Sequence, residues 1–232
     1  MRLHRFFVSQ SKIGEKEIRL EDKNLTHQWK SVFRLESGDS VILFSGDGFD
    51  YTYEIKILSK NEAELILQEK IENKNTPVRA VYLFASLVKK DNFEWILEKG
   101  TELGVSHFIP VVSERTEKKD LNMERAQKIV IEASEQSGRG SVPAIHKVVS
   151  LEDSLKEFSI PLFAFHTEGA VSFRDLKYGE KIGVFIGPEG GWSDKELDLF
   201  KKYNVSLVKL GNQVLRAETA AGSQSTQAVG SS

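Results

Sequence analysis

The stretch Ile186-Gly187-Pro188-Glu189-Gly190-Gly191-Trp192-Ser193 carries the strongest fold signal in the chain. It follows the apolar segment 182–186, which predicts a buried strand, and it precedes residues 195–203, whose pattern predicts a helix. Ser193 can cap this helix, with Glu196 three residues later completing a capping box. Because ligands of open parallel sheets bind beyond the carboxyl ends of the strands, glycines at this point indicate a site that a ligand approaches closely.

Glycine content alone does not establish such a site. A plain turn between a strand and a helix has the same composition, and on this evidence it is the simpler interpretation. The stretch is not a P-loop, because no Lys-Ser or Lys-Thr pair follows the glycines, and it does not match the G-x-G-x-x-G dinucleotide fingerprint. A nucleotide-dependent oxidoreductase or a kinase therefore lacks its usual loop here.

Two further stretches place polar residues after apolar segments. The first, Leu210-Gly211-Asn212-Gln213-Val214-Leu215-Arg216-Ala217-Glu218-Thr219-Ala220, follows a predicted strand, and a helix start with solvated charges is an equally good interpretation of it. The second, Glu135-Gln136-Ser137-Gly138-Arg139, comes at the end of a predicted helix. A glycine stop with an arginine that compensates the helix dipole would also explain it.

The chain around these stretches changes character near residue 72. Before this point, short alternating runs such as residues 51–57 predict strands of a small β-barrel, with one helix at 27–34. A polar segment ending in Pro77 then predicts a linker, which divides the chain into domains 1–72 and 73–232. Strands and helices alternate in the second part, which is typical of a parallel α/β sheet. The predicted strands are 78–87, 108–112, 160–165, 182–186 and 205–210, and the predicted helices are 92–103 (capped by Asp91), 123–136 and 195–203.

The composition of the chain excludes several kinds of protein and of functional site. The 232 residues are 40% hydrophobic and 28% charged, which is typical of a globular protein. The absence of cysteine excludes disulfides, thiolate catalysis and cysteine-based zinc sites. The five histidines show no metal-ligand spacing, no G-x-S-x-G elbow is present, and no apolar run reaches the ~18 residues of a membrane span. We therefore expect a cytoplasmic protein without a metal. With a net charge of −2, any nucleic acid must be met by a local patch or by shape.

Taken together, the motifs resemble those of the bacterial 16S ribosomal RNA uracil N3-methyltransferase family, which belongs to the SPOUT class of knotted methyltransferases. The resemblance covers nearly the whole chain, and the two stretches after residues 186 and 210 are its most specific part. The matching segments are His4-Arg5-Phe6-Phe7, Val32-Phe33-Arg34, Gly38-Asp39, Lys99-Gly100-Thr101-Glu102-Leu103-Gly104-Val105, Glu135-Gln136-Ser137-Gly138-Arg139, Gly187-Pro188-Glu189-Gly190-Gly191, Leu210-Gly211 and Leu215-Arg216-Ala217-Glu218-Thr219-Ala220.

The resemblance implies a PUA-like β-barrel that contacts RNA, followed by a parallel-sheet SPOUT domain with a trefoil knot. It implies a homodimer that uses S-adenosylmethionine to methylate N3 of a specific uridine in 16S rRNA of the assembled small ribosomal subunit. The residues expected to bind the cofactor are His166, Thr167, Ile186, Gly187, Pro188, Glu189, Gly190, Gly191, Leu210, Gly211, Val214, Leu215, Arg216 and Thr219.

The reaction needs a group that accepts the N3 proton or stabilises the charge that spreads onto O2 and O4 of uracil. Glu218 or Glu189 are the candidate bases, and Arg139 and Arg216 are the candidates for charge stabilisation. Basic residues near the start of the chain and just beyond two predicted strands are candidate RNA contacts, although such positions also carry ordinary surface charges. They are Arg2, Arg5, Arg34, Lys89, Lys90 and Arg115.

The end of the chain departs from the family pattern. Residues 222–232 have almost no apolar face and many residues of low helix propensity, so they predict a poor final helix that leaves residues 215–219 loosely held. This feature favours, to a small extent, a rival hypothesis in which the chain is a ribosome-associated RNA-binding protein that has lost methyl transfer. The intact cofactor stretches favour the enzyme.

Overall fold

The computed structural model describes residues 3–9, 13–116, 119–169, 171–172 and 179–209. Its contacts divide the chain into two compact units. The first unit comprises Met1–Thr76 with Ser134–Val142, and the second comprises Pro77–Ala133 with Pro143–Ser232. The predicted linear boundary after residue 72 stays a prediction.

The first unit is built on a five-stranded mixed sheet with the strand order β1-β3-β4-β5-β2. The β1–β3 pair is parallel, and the other pairs are antiparallel. One helix, α1, packs Trp29 fully into the core of this unit. The elements are β1 (Arg5–Phe7), β2 (Glu17–Leu20), α1 (Lys23–Ser31), β3 (Ser40–Phe44), β4 (Phe49–Leu58) and β5 (Ala63–Glu72).

Helix α1 begins four residues earlier than the sequence pattern predicts. Asp22 is its N-cap, and its carboxylate accepts the N–H groups of Asn24 and Leu25. The helix ends at Ser31, and the chain then reverses through Arg34, whose φ is 55°. The predicted span of 27–34 therefore lies too far along the chain, because the helix starts at the N-cap Asp22 and the prediction did not take Asp22 as a cap.

Arg5 organises the polar part of the first unit. Its guanidinium lies 2.6 Å from the carboxylate of Asp50 and donates to the carbonyl oxygens of Ser134 and Arg139, both at 3.1 Å. The side chain of Asn73 donates to the Gly138 carbonyl at 3.0 Å. These bonds satisfy carbonyls at the end of a helix, and they explain why residues 134–142 belong to the first unit although they come late in the chain.

The second unit is a parallel α/β structure, as the sequence predicts. Its eight-stranded sheet has the order β11-β13-β10-β12-β6-β7-β8, with β9 also paired to β7, and each of these pairs is parallel over the described residues. Among the described residues, no helix is long and apolar enough to cross a membrane. The elements are β6 (Ala80–Ser86), α2 (Lys90–Glu102), β7 (His107–Val112), α3 (Met123–Ser137, of which the residues from Ser134 onward belong to the first unit), β8 (Ala144–Ile145), β9 (Val149–Ser150), α4 (Leu151–Glu157), β10 (Leu162–Phe165), β11 (Val171–Ser172), β12 (Lys181–Ile186), α5 (Asp194–Lys202) and β13 (Ser206–Lys209).

The two predicted helix caps have opposite outcomes. Ser193 caps α5 with the full capping box that includes Glu196, which confirms the prediction. The cap predicted at Asp91 is wrong, because α2 starts at Lys90 after the N-cap Lys89 and has no side-chain cap. The preceding residues Leu87 and Val88 are buried, so the chain turns into the helix sooner than the polar residues suggest.

The core of the second unit contains a group of packed aromatic rings. Phe84 and Phe185, on the neighbouring strands β6 and β12, stack with ring centroids 4.3 Å apart. Trp192 and Phe200 meet edge to face at 5.0 Å beside them. The short elements β8, β9, β11 and α4 were not predicted, because two-residue strands and a seven-residue helix carry too little periodicity to detect.

A histidine pair gives the second unit a predictable pH dependence. Nδ1 of His107 lies 3.2 Å from Nε2 of His146, and the His107 ring stacks on Tyr82 at 4.1 Å. Burial, with the positive charge of His146 and Lys181, lowers the pKa of His107. Below about pH 6.5 the unfolded chain therefore binds a proton that the folded chain resists, and stability falls as the pH falls.

We expect His107→Gln to flatten this dependence, because glutamine does not titrate. Urea unfolding at pH 7.5, 6 and 5 measures it, and His27→Gln, at an exposed position of α1, is the matched control that should keep the wild-type slope. Equal slopes for the wild-type protein and His107→Gln would contradict the assignment.

Candidate functional site

The carboxyl ends of the central strands bring four loops to one edge of the second sheet. Strand β12 lies between β10 and β6, and β7 follows β6. Residues 166–167 follow β10, residues 187–191 follow β12, residues 87–89 follow β6 and residues 113–116 follow β7. Since all these strands are parallel, this edge is where a ligand of the sheet would bind.

The loop 187–191, here called the glycine loop, has a defined conformation. The N–H of Gly191 donates to the Pro188 carbonyl at 2.9 Å, and Gly191 has a φ of 66°, which favours glycine. A Cβ atom at Gly187 would lie 3.1 Å from the ring of Trp192. The indole of Trp192 donates to the carbonyl of Phe165 at 3.1 Å, so the loop is tied to the end of β10.

Glu196 fixes the other side of the glycine loop. Its side chain is 4% exposed, and its two carboxylate oxygens accept the N–H groups of Glu114 and Ser193, both at 2.8 Å. The hydroxyl of Ser193 donates to the carboxylate of Glu114 at 2.6 Å. This hydrogen bond, followed by the positive charges of Lys195 and Arg115, lowers the pKa of Glu114. Sequence analysis identified Glu196 as part of the cap but missed its bond to Glu114, which is 82 residues away.

Arg115 covers the tip of the loop. Its guanidinium donates to the carbonyl of Gly190, and a Cβ atom at Gly190 would lie 3.1 Å from its Cδ. Asn92, at the start of α2, donates to the carboxylate of Glu189 at 3.5 Å. The predicted RNA contact of Arg115 stays a prediction, and the contact it makes in this structure is with the loop.

Ser86, which sequence analysis did not single out, lies at the same edge of the sheet. It is the last residue of β6, it is 1% exposed, and its hydroxyl has no hydrogen-bond partner among the residues that the structure describes. Because a buried hydroxyl normally finds a partner, this group is suited to a ligand at the same edge. The only sequence signal was a polar residue that ends an apolar run.

The other predicted cofactor residues are partly placed. His166 follows β10, its N–H donates to the Val208 carbonyl at 3.0 Å, and its Nδ1 accepts the N–H of Glu168 at 3.2 Å. Thr167 is exposed beside it, and Ile186 is buried at the end of β12. Several predicted residues, and the predicted weak tail 222–232, lie outside the described residues. These predicted residues are Arg2, Leu210, Gly211, Val214, Leu215, Arg216, Glu218 and Thr219.

The described catalytic candidates lie in different units. Glu189 is exposed on the glycine loop of the second unit, whereas Arg139 belongs to the first unit. Arg139 is 3% exposed, its guanidinium donates to the Ser141 hydroxyl at 3.4 Å, and burial lowers its pKa to about 10. The roles predicted for both residues stay predictions.

The described RNA-contact candidates also differ in exposure. The side chain of Arg5 is 9% exposed and bonded within the first unit, whereas Arg34 is exposed. Lys89 and Lys90 are exposed at the start of α2, and Lys90 lies 3.9 Å from Glu94. In the described part of the chain, no group of three or more His, Asp or Glu side chains could hold a metal ion.

Comparisons with known proteins agree with this architecture. A family model described as an RNA methyltransferase domain matches residues 74–226, and an RNA methyltransferase PUA domain matches residues 30–68. The chain is 30% identical over 227 residues to Ribosomal RNA small subunit methyltransferase E of Rickettsia conorii, covering 95% of this chain and 93% of the relative. It is 32% identical over 212 residues to the protein of the same name from Bacillus subtilis, covering 84% and 82%.

A solved structure is similar over the whole fold. The crystal structure of a Ribosomal RNA small subunit methyltransferase E from Neisseria gonorrhoeae, bound to S-adenosyl methionine, matches with a TM-score of 0.91 and 28% identity. The match covers 97% of this chain and 95% of that one.

The double acceptor role of Glu196 predicts a specific loss of stability. In Glu196→Gln, the amide NH₂ faces one of the two main-chain N–H groups, which leaves that buried donor unsatisfied. We expect a loss of about 1–3 kcal/mol in urea unfolding. Asp198→Asn is the control on the same helix, because Asp198 is exposed and pairs only with Lys201 among the described residues, and it should change stability by less than about 0.5 kcal/mol. Similar losses in both variants would show that the buried bonds of Glu196 contribute little.

Proposed function

Since this chain belongs to the ribosomal RNA small subunit methyltransferase E family, we propose that it transfers a methyl group from S-adenosylmethionine to N3 of a uridine in small-subunit ribosomal RNA. The observation that carries the proposal is the glycine loop, which lies at the carboxyl end of β12 and is bonded through Trp192, Arg115 and Ser193. A loop held in this way presents its own backbone groups in a fixed arrangement.

The residues at this edge fit S-adenosylmethionine. Gly187, Gly190 and Gly191 have no side chain that would keep a ligand from the backbone, and the Ser86 hydroxyl is available among the described residues. Exposed Glu189 places a carboxylate on the loop, which suits a cationic ligand. When bound, S-adenosylmethionine supplies a methyl group on a positively charged sulfur, which is already electrophilic.

The protein then has to position uracil and handle one proton. Uracil N3 carries a proton and is a poor nucleophile until that proton leaves. We assign the proton to Glu189 or Glu218, and we assign Arg216 to the negative charge that develops on O2 and O4. The loop contacts of Asn92 and Arg115 hold Glu189 and Gly190 in place during this step.

The form of the RNA substrate follows from the charge of the chain. We infer that the substrate is the assembled small subunit, because a chain of net charge −2 gains little from nonspecific phosphate attraction. A structured target supplies contacts of shape instead. We also infer a cytoplasmic homodimer, in keeping with the family.

Gly190→Val tests the placement of the cofactor. The branched side chain would fill space at the loop surface and displace Arg115, so we expect binding of S-adenosylmethionine to be lost in isothermal calorimetry. Gly179→Val is the matched control, because a Cβ atom at Gly179 meets none of the described residues within 4 Å and its backbone is not left-handed. The placement fails if Gly190→Val is folded, as judged by circular dichroism, and binds the cofactor as the wild-type protein does.

Mass spectrometry of the methylated RNA tests the reaction itself. We expect one methyl group on N3 of a uridine, with faster transfer to small subunits than to the same rRNA freed of protein. Equal rates on both substrates would contradict the preference for the assembled subunit. Cofactor binding without transfer to either substrate would favour the non-catalytic RNA-binding hypothesis.

A further inference from the structure

We propose that Arg115 couples the RNA substrate to the glycine loop. One nitrogen of its guanidinium holds the carbonyl of Gly190, and the other two take a phosphate of the RNA beside the reaction site. The inference rests on the proposed function, because it names a group that receives the same substrate. It goes beyond that function by making the binding of RNA and the binding of cofactor depend on each other.

The turn that carries Arg115 is fixed from within. The N–H of Ser113 donates to the hydroxyl oxygen of Thr116 at 3.1 Å, and the N–H of Thr116 donates to the carbonyl of Ser113 at 3.1 Å. The two hydroxyl oxygens lie 2.7 Å apart. Ser113 and Thr116 are buried, whereas Arg115 is exposed. The turn therefore presents Arg115 from a backbone that its own residues hold in place.

The stem of Arg115 lies along Gly190. A Cβ atom at Gly190 would lie 3.1 Å from Cδ, 3.6 Å from Cβ and 3.9 Å from Cγ of Arg115. Because Gly190 has no side chain, the aliphatic part of Arg115 packs on the loop and its Nη1 donates to the carbonyl of the same residue. The two residues fit each other although they are 75 positions apart.

The bond to the loop uses one nitrogen of the guanidinium. Nη1 is the donor to Gly190, and Nε and Nη2 have no partner among the residues that the structure describes. Nε and Nη2 lie on one edge of the planar group, where they form a fork that matches two oxygens of a phosphate. Arg115 thus has one donor on the loop and a second edge open to an anion.

The carboxylates near Arg115 are bound to other groups. Glu114 accepts the hydroxyl of Ser193 at 2.6 Å, and its other oxygen lies 3.9 Å from Nζ of Lys195. Glu189 accepts from the side chain of Asn92 at 3.5 Å. Exposed cations are common on this chain, so exposure alone would indicate little. The feature that sets Arg115 apart is its direct bond to the loop that we assign to the cofactor.

Two anions of the reaction carry suitable oxygens, the RNA phosphate and the carboxylate of S-adenosylmethionine. We assign the phosphate, because Arg115 is exposed at the edge that the larger substrate approaches, and every nucleotide brings a phosphate with its base. A phosphate on Nε and Nη2 orders the arginine side chain, which then holds the Gly190 carbonyl more firmly. RNA therefore favours cofactor binding, and by linkage the cofactor favours RNA binding by the same factor.

The first test compares two arginines that each donate to a glycine carbonyl. Arg115→Gln removes the fork. Arg79→Gln is the matched control, because Nε of Arg79 donates to the Gly179 carbonyl at 2.6 Å directly before β6, which is the opposite edge of the sheet. We measure the binding of purified small subunits by filter retention across a salt series. The protein is saturated with S-adenosylhomocysteine, which lacks the methyl group that is transferred.

We expect Arg115→Gln to bind small subunits about 5- to 20-fold more weakly at about 100 mM salt, with a salt slope reduced by about one unit, because one phosphate contact is lost. Arg79→Gln should stay within about two-fold and keep the wild-type slope. Circular dichroism checks that both variants are folded. Equal losses in the two variants, or a wild-type slope in Arg115→Gln, would overturn the proposal.

The second test measures the coupling with a variant that keeps the charge. We expect small subunits to bind the wild-type protein about 5-fold more tightly when S-adenosylhomocysteine is present. Arg115→Lys should keep most of the salt slope, but its coupling factor should fall to about one, because a single ammonium group does not provide the separate edges of a guanidinium. Undiminished coupling in Arg115→Lys, or no coupling in the wild-type protein, would contradict the role of Arg115.

The third test distinguishes the two anions. Calorimetry compares the binding of S-adenosylmethionine with that of decarboxylated S-adenosylmethionine in the absence of RNA. We expect Arg115→Gln to change both affinities equally and by less than about three-fold. A loss confined to S-adenosylmethionine would identify the cofactor carboxylate as the anion and overturn the assignment to phosphate.

The outcomes also separate this proposal from the proposed function. If Arg115→Gln loses RNA binding and coupling while the wild-type protein transfers no methyl group, the role of Arg115 stands and the proposed reaction fails. If the wild-type protein methylates RNA and Arg115→Gln binds and couples like Arg79→Gln, the reaction stands and the role of Arg115 fails.

Discussion

The carboxylate of Glu196 is buried between two segments of chain that are 82 residues apart, and it accepts a main-chain N–H group from each of them. A buried charge is costly unless hydrogen bonds satisfy it. In this position both oxygens of Glu196 have a donor, so the loop after β7 and the start of α5 are held together. The glycine loop lies between these anchors and the indole of Trp192, and its conformation depends on them. A loop that a ligand must meet through its backbone needs this kind of external support, because glycines do not restrict their own conformation.

The first unit depends on a corresponding group. The guanidinium of Arg5 is nearly buried, and it joins the carboxylate of Asp50 to carbonyls at the end of α3. Both units therefore use one charged side chain to satisfy main-chain groups that come from distant parts of the sequence. Arg5, a basic residue near the start of the chain, therefore contributes to the structure of its unit. Arg34, in the same unit, is exposed.

The charges on the described surface are only partly paired with one another. The net charge is small, and a minority of the described surface cations are paired with carboxylates, as in the ion pair of Arg125 with Glu94 at 3.0 Å. A net charge near zero gains little from nonspecific attraction to phosphate, so the proposed RNA substrate must be met by local contacts and by shape.

The sequence by itself determined the parallel α/β class of the second unit, most of its long strands and helices, the capping box of Ser193 and Glu196, and the position of the glycine loop after β12. These features are local, because periodicity and capping act within a few residues. Only the tertiary structure decided the bond of Glu196 to Glu114, the burial of the Ser86 hydroxyl, the parallel pairing of β1 with β3, and the membership of residues 134–142 in the first unit. It also placed Arg115 on Gly190 and Arg5 on Asp50. Arg5 is 45 positions from Asp50 and 129 positions from Ser134. No pattern within a short window of sequence records which distant carbonyl or carboxylate a charged side chain will meet.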